Sequence, residues 1–365
     1  MKKLLLILLL SPLFFTACYA EGLEEQAAEL MGTDALEQAL TPEERQIGGT
    51  LRLDGLYDTA GALDRLWSSA VQTVKDAFTR EIRTVAALAV IAVFAALSAA
   101  PVQNPTLESV INTAACAVVA GQTVGSLDSM AGQCSEAIYR LSDYSRAVLP
   151  AIFTAAAASG APISAPTRYA AACLAMDVLI HVSQRIVLPL IYAFLALSLC
   201  RSIFDNPLLR GLSGLIKWCC VTCMTGLTAA FSAYVGITGI VTGSADAAAV
   251  KTAKTVISSA LPIVGGMLSD SAGVVLAAAS VVKNSAGAFA LVSVCAICLG
   301  PFALLGVRFL LYKGAAAAAD ALPGGRISGL IGDIGTAFAL LLGLLGSCAF
   351  MLFISVMSGI RVVSG

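Results

Sequence analysis

Between Gly335 and Ile360 the chain runs for 26 residues without a single charged side chain. A helix needs roughly 20 apolar residues to cross the hydrocarbon core of a bilayer. A run this long therefore restricts the fold to one that lives in lipid. Trp218 to Gly243 and Ser285 to Val307 are equally clear spans, and Thr84 to Val102 and Ser109 to Leu127 also qualify, although Asn112 and Gln122 interrupt the latter. Ile186 to Cys200 is short and extends backwards through AACLAMDVLIHVSQR. Hydrophobic residues make up 58% of the chain and charged residues 12%, about half the share usual in soluble domains. The reading is an all-α, polytopic helical membrane protein. A formal net charge of −1 and the lack of basic clusters with interleaved aromatics argue against nucleic-acid binding.

The first twenty residues read as a secretory signal, with Lys2 and Lys3 ahead of the apolar LLLILLLSPLFF. Cleavage is expected between Ala20 and Glu21. Lipidation at Cys18 ranks lower because Phe15 stands three positions before it. An uncleaved anchor ranks lower still, since the core is short and holds Pro12. Residues 21–83 carry 13 acidic against 6 basic side chains and are expected outside the cytoplasm. Leu56, Leu63, Leu66, Trp67, Val71, Val74 and Phe78 recur there at helical intervals, predicting amphipathic helices off the membrane or on its surface, a spacer before the first span.

Two interrupted regions, 147–167 and 255–282, correspond. Leu149-Pro150 recurs as Leu261-Pro262 and Pro189 as Pro301, each 112 residues later; Asp205 and SGLI at 213–216 recur 115 later as Asp320 and SGLI at 328–331. The order predicts a tandem repeat of a Pro/Gly-broken, re-entrant or interfacial element, a span, a basic loop and another span. The expected layout is spans in 84–127, a polar loop at 128–146, repeat 1 at 147–243, a linker at 244–258, repeat 2 at 259–360 and a tail at 361–365. Loops 201–217 and 308–326 are both basic, which sets both on the cytoplasmic side and makes the repeats parallel. Asp270 within the broken element either faces an interior cavity, meeting water or a partner donor such as Lys283 or Asn284, or marks a loop at the surface.

The run Leu261-Pro262-Ile263-Val264-Gly265-Gly266, followed by Ser269-Asp270, Lys283-Asn284, Gly287, Pro301, Tyr312-Lys313 and Arg326-Ile327, resembles the signature region of the stage III sporulation protein AE family. The resemblance covers most of the chain after residue 84. It implies a multi-span protein of endospore-forming bacteria, in the mother-cell membrane around the forespore. It also implies an assembly with the sister stage III A proteins, an ATPase subunit among them, that reaches the forespore's stage II protein Q and acts as a channel or feeding tube. Membrane lipids are the remaining expected partner.

Other chemistry is sparsely signalled. Asp177, His181 and Arg185 form a polar stripe at helical spacing, readable as a proton relay or, more simply, as packing and snorkelling at a helix end. Cys219-Cys220-x-x-Cys223 and Cys295-x-x-Cys298 lie in apolar spans without a nearby histidine, where cysteine acts as a small hydrophobe. No HExxH, G-x-S-x-G or Walker motif occurs, so no enzyme activity, metal or cofactor is expected, and any ATPase work falls to a partner. An autonomous secondary transporter is the alternative that repeats and broken helices allow.

Overall fold

The computed structural model describes residues 33–49, 57–99, 104–204, 207–260, 265–321 and 326–361, in places (256–260 and 265–279 among them) by backbone alone. Helices are α1 Thr33–Gln38, α2 Pro42–Gly48, α3 Thr59–Ala99, α4 Pro105–Ala158, α5 Ser164–Val182, α6 Leu188–Ile203, α7 Pro207–Ala260, α8 Gly265–Asp320 and α9 Arg326–Arg361. A π-helical turn, Ser183–Val187, joins α5 to α6. Among the described residues six stretches are long and apolar enough to cross a membrane: α3, α4, α5 through α6, α7, α8 and α9. The signal segment and its Ala20–Glu21 junction lie outside the described residues.

Local signals set the helix ends. Thr41 and Glu44 close a capping box on α2, and Asn104 caps α4 by accepting from Thr106 N–H at 3.0 Å, with Pro105 at the first turn. Gly160, at φ 109°, makes the turn from α4 into α5 in a conformation that a β-carbon would strain. Pro189 cannot donate to the carbonyl four residues back, and the π turn sits immediately ahead of it. Pro150 and Pro301, by contrast, lie inside α4 and α8.

The six long helices alternate in direction, and contacts fix their register. One end gathers the α3–α4, α6–α7 and α8–α9 junctions: Arg201 meets Asp333, and Arg326 reaches Ser109 at 3.4 Å. At the far end Arg168 reaches Ser358, and Asp246 meets the start of α5. α9 runs through the middle, touching α4, α5, α6, α7 and α8. Leu344, Leu345, Leu352 and Val356 on it are fully buried. α3 runs parallel to α8, since Tyr57 stacks on Phe289 (centroids 5.5 Å apart) and Glu81 meets Arg308. The apolar half of α3 therefore lies beyond Arg308, staggered toward the first end.

Two expectations are corrected. Residues 128–146 are helical, not a loop, because their polar groups find partners across the bundle: Asp128 with Tyr192 at 2.9 Å, Ser135 with Gln184 at 2.8 Å, Arg140 with Glu44 at 2.6 Å. Residues 244–258 continue α7 rather than forming a linker. The described part of the acidic segment packs on the bundle. α2 packs on α8 and α3, and α3 buries Ala62, Ala77 and Glu81 while Leu63, Trp67, Val71, Val74 and Phe78 stay exposed. Small alanines let α3 approach α8 closely, so its bulky face is the one left outward.

Candidate functional site

At the end that gathers the junctions, charges meet across helices. Arg308 of α8 donates through Nη2 to Glu81 of α3 at 2.7 Å and through Nη1 to the carbonyl and hydroxyl of Ser126 on α4. Its guanidinium also lies 5.7 Å from the centroid of Phe338, so one side chain ties four helices. Arg308 and Glu81 are 11% and 7% exposed, few enough for the pair to be dry. Arg201 of α6 pairs with Asp333 of α9 at 2.6 Å. Lys313 donates to the Gly332 carbonyl at 3.0 Å and Thr336 Oγ1 at 2.9 Å.

The far end satisfies its charges differently. Ile163 precedes α5 and offers no capping side chain. Asp246, from the last third of α7, supplies the cap: its Oδ1 accepts from Ile163 N–H at 2.9 Å and Ser164 N–H at 3.1 Å. A carboxylate there answers both the orphan donors and the positive end of the helix dipole. One turn on, Arg168 donates to the carbonyl and hydroxyl of Ser358 on α9, both at 3.2 Å. α5, α7 and α9 are thereby fastened together.

With that geometry in place, comparison with known proteins is decisive at the family level. Residues 57–363 match the family described as stage III sporulation protein AE. The chain belongs to this family. A curated relative, stage III sporulation protein AE of Bacillus subtilis (strain 168), is 24% identical over 223 residues, which cover 60% of this chain and 55% of the relative. No solved structure matches.

Among the described side chains, those by which the sequence resembles this sporulation family stand at separate places along α8 and at the start of α9. Pro262 falls outside the described residues. Gly265, Gly266, Ser269 and Asp270 occupy the first turns of α8, where only the backbone is described. Because α8 is continuous, Asp270 stands 13 residues from Lys283, about 20 Å along the axis. The expected partnership of Asp270 with Lys283 or Asn284 falls on a side chain outside those described. Lys283 is buried and Asn284 exposed. Gly287 faces Ile360 so closely that a β-carbon would overlap that side chain. Pro301 lies within α8 beside the cleft between α2, α3 and α4.

Asp177, His181 and Arg185 are exposed on the outside of α5 and the π turn. His181 Nδ1 lies 3.0 Å from the Asp177 carbonyl oxygen and 3.7 Å from its carboxylate. Cys220, Cys298 and Cys348 are buried thiols, and Cys348 Sγ lies 3.6 Å from Ser183 Oγ. No group of three or more His, Cys, Asp or Glu side chains comes together among the described residues. Sequence reading missed the cross-helix fasteners Glu81, Arg308, Asp246 and Arg168. Their one signal was a charge inside a helix, and partners up to 227 residues away are invisible to periodicity.

Outside the membrane-spanning helices, Tyr57 anchors α2. Its hydroxyl donates to the Gly48 carbonyl, and burial pushes its pKa up to about 12 against the opposing pull of Arg65.

Proposed function

We propose that this chain is an integral-membrane component of the stage III sporulation channel assembly that links mother cell and forespore and supports late forespore development. The observation that carries the reading is the family match across 57–363, on a chain whose described residues include six helices long and apolar enough to cross a bilayer. Its partners on this reading are the other stage III A proteins, with the ATPase among them, and indirectly the forespore's stage II protein Q. Both basic junctions, α6–α7 and α8–α9, sit at one end of the bundle, which supports a cytoplasmic assignment for that end. α3 begins at the opposite end, beside Phe289, which supports an extracytoplasmic acidic segment. Two hairpins, α5–α6 with α7 and α8 with α9, enter and return in the same sense, which supports parallel repeats.

The test is affinity capture of the full chain from sporulating cells, with spore yield scored in parallel. Co-capture of the sister proteins, and loss of spores without this chain, is expected. Solute transport by the purified chain alone, with spore yield independent of the partners, would instead make it an autonomous transporter. Single cysteines at positions 208 and 323, in a background without native cysteines, should label from the same, cytoplasmic side; labelling from opposite sides replaces parallel repeats with inverted ones. Asp270→Asn, at unchanged membrane abundance, should lower spore yield, and normal yield would make that charge incidental.

A further inference from the structure

A groove of about 720 Å³ runs along the outside of the bundle between α7 and α9, with α8 as part of its floor. Met224 and Thr228 of α7 and Gly343 and Phe350 of α9 line its length, and Lys217 and Lys313 stand at its end nearest the junctions. Its hydroxyls are already used within their own helix: Thr228 Oγ1 donates to the Met224 carbonyl at 2.9 Å and Ser232 Oγ to the Thr228 carbonyl at 2.7 Å. What remains is apolar walls. Gly343 keeps the floor low, since a β-carbon there would already touch Met224 Cε at 3.7 Å.

The two lysines are the unusual part. Among the described residues neither has a carboxylate within ion-pair distance; Lys313 has the Gly332 carbonyl and the Thr336 hydroxyl, and both residues are exposed. Arg201 and Arg308 at this end, by contrast, each have an acid opposite them. The lysines also stand where the uncharged runs 218–243 and 335–360 begin, next to Trp218, a residue that favours the membrane interface. An apolar trough opening sideways at membrane depth, closed at its headgroup end by two uncompensated cations, has the shape and charge of one ligand class.

We propose that the α7–α9 groove is a binding site for an anionic phospholipid, whose phosphate sits between Lys217 and Lys313 and whose acyl chain lies along Met224, Gly343 and Phe350. The site is independent of what passes through any channel and needs no partner protein.

The test is native mass spectrometry of the detergent-solubilised full chain titrated with dioleoyl phosphatidylglycerol or dioleoyl phosphatidylethanolamine. Inorganic phosphate serves as competitor and far-UV circular dichroism as the check on folding. The wild type should prefer phosphatidylglycerol by about tenfold. The double variant K217Q/K313Q should lose that preference, K217R/K313R should keep it, and G343L, which fills the trough, should weaken both lipids together. Should K217Q/K313Q fail to fold, K217R/K313R and G343L decide on their own. A folded K217Q/K313Q with undiminished preference, or a folded G343L that binds like wild type, overturns the site. Displacement of the lipid by millimolar phosphate would make it a simple anion site and also overturn it.

Discussion

The two ends of this bundle solve one problem by different means. Where the junctions gather, cation meets carboxylate across helices: Arg308 with Glu81, Arg201 with Asp333. At the far end no carboxylate among the described residues faces a cation in this way: Asp246 takes two backbone N–H groups of α5, and Arg168 takes the carbonyl and hydroxyl of Ser358. An ion pair can be deleted whole and replaced by apolar packing with little loss. A charge that satisfies backbone cannot, because the N–H groups stay behind when the side chain goes. The first end should therefore tolerate paired substitution, and the far end should not.

The largest expected effect is at Arg308. Arg308→Met leaves Glu81 buried and unpaired and should cost about 3–5 kcal/mol, read as loss of folded protein in thermal unfolding of the solubilised chain. Adding Glu81→Leu should recover most of it. A double variant as unstable as the single one would erase the difference between the ends. Next comes Asp246→Ala, expected to cost about 1–2 kcal/mol at the cap, with no rescue by any apolar change at Arg168. Rescue there would show the far end to be an ion pair after all.

Arg201→Gln should cost less, about 1 kcal/mol or below, because the pair with Asp333 is 24% and 19% exposed and screened in part. Its loss should shrink further in high salt. The smallest effect is expected at Arg146, whose contact with Asp143 is 3.7 Å long and 76% exposed on both sides. Arg146→Gln should leave the unfolding midpoint unmoved. A shift comparable to that of Arg201→Gln would mean that this face is covered by something in the membrane.

The pH response of Tyr57 offers a separate check on how α2 is held. Its folded pKa, about 12, is raised above the ordinary value of 10.0, so its contribution is intact below pH 10 and is lost as pH rises toward 12. Difference spectra against Tyr57→Phe should show one phenol that ionises late. Ionisation near pH 10 would mean that α2 does not cover it.

Much of the fold was legible in the sequence because a bilayer imposes length and apolarity on each span separately. Gly335 to Ile360 can be read as a span without knowing any neighbour. Helix extent was less legible. Polar residues such as Asp128, Ser135 and Arg140 look like a loop until Tyr192, Gln184 and Glu44 are placed opposite them. The face that α3 buries ran against its hydrophobic pattern, because close approach between helices rewards Ala62 and Ala77 over Trp67. Gly287 was singled out as part of a motif, and Ile360, the neighbour that makes a small residue necessary there, lies in the last span.

The cap on α5 also sets an order of events in synthesis. Ser164 leaves the ribosome 82 residues before the carboxylate that will hold it. At about 5–20 residues per second the first turn of α5 waits roughly 4–16 seconds for Asp246. Over that interval water, headgroups or the insertion machinery must occupy its free N–H groups. α4 and α5 can enter the membrane as they emerge, but the turn between them becomes fixed only after α7 has been made. A chain stalled before residue 246 should carry six correct helical sequences' worth of intent in its message and yet display an unlatched α4–α5 corner to any protease that patrols the membrane surface.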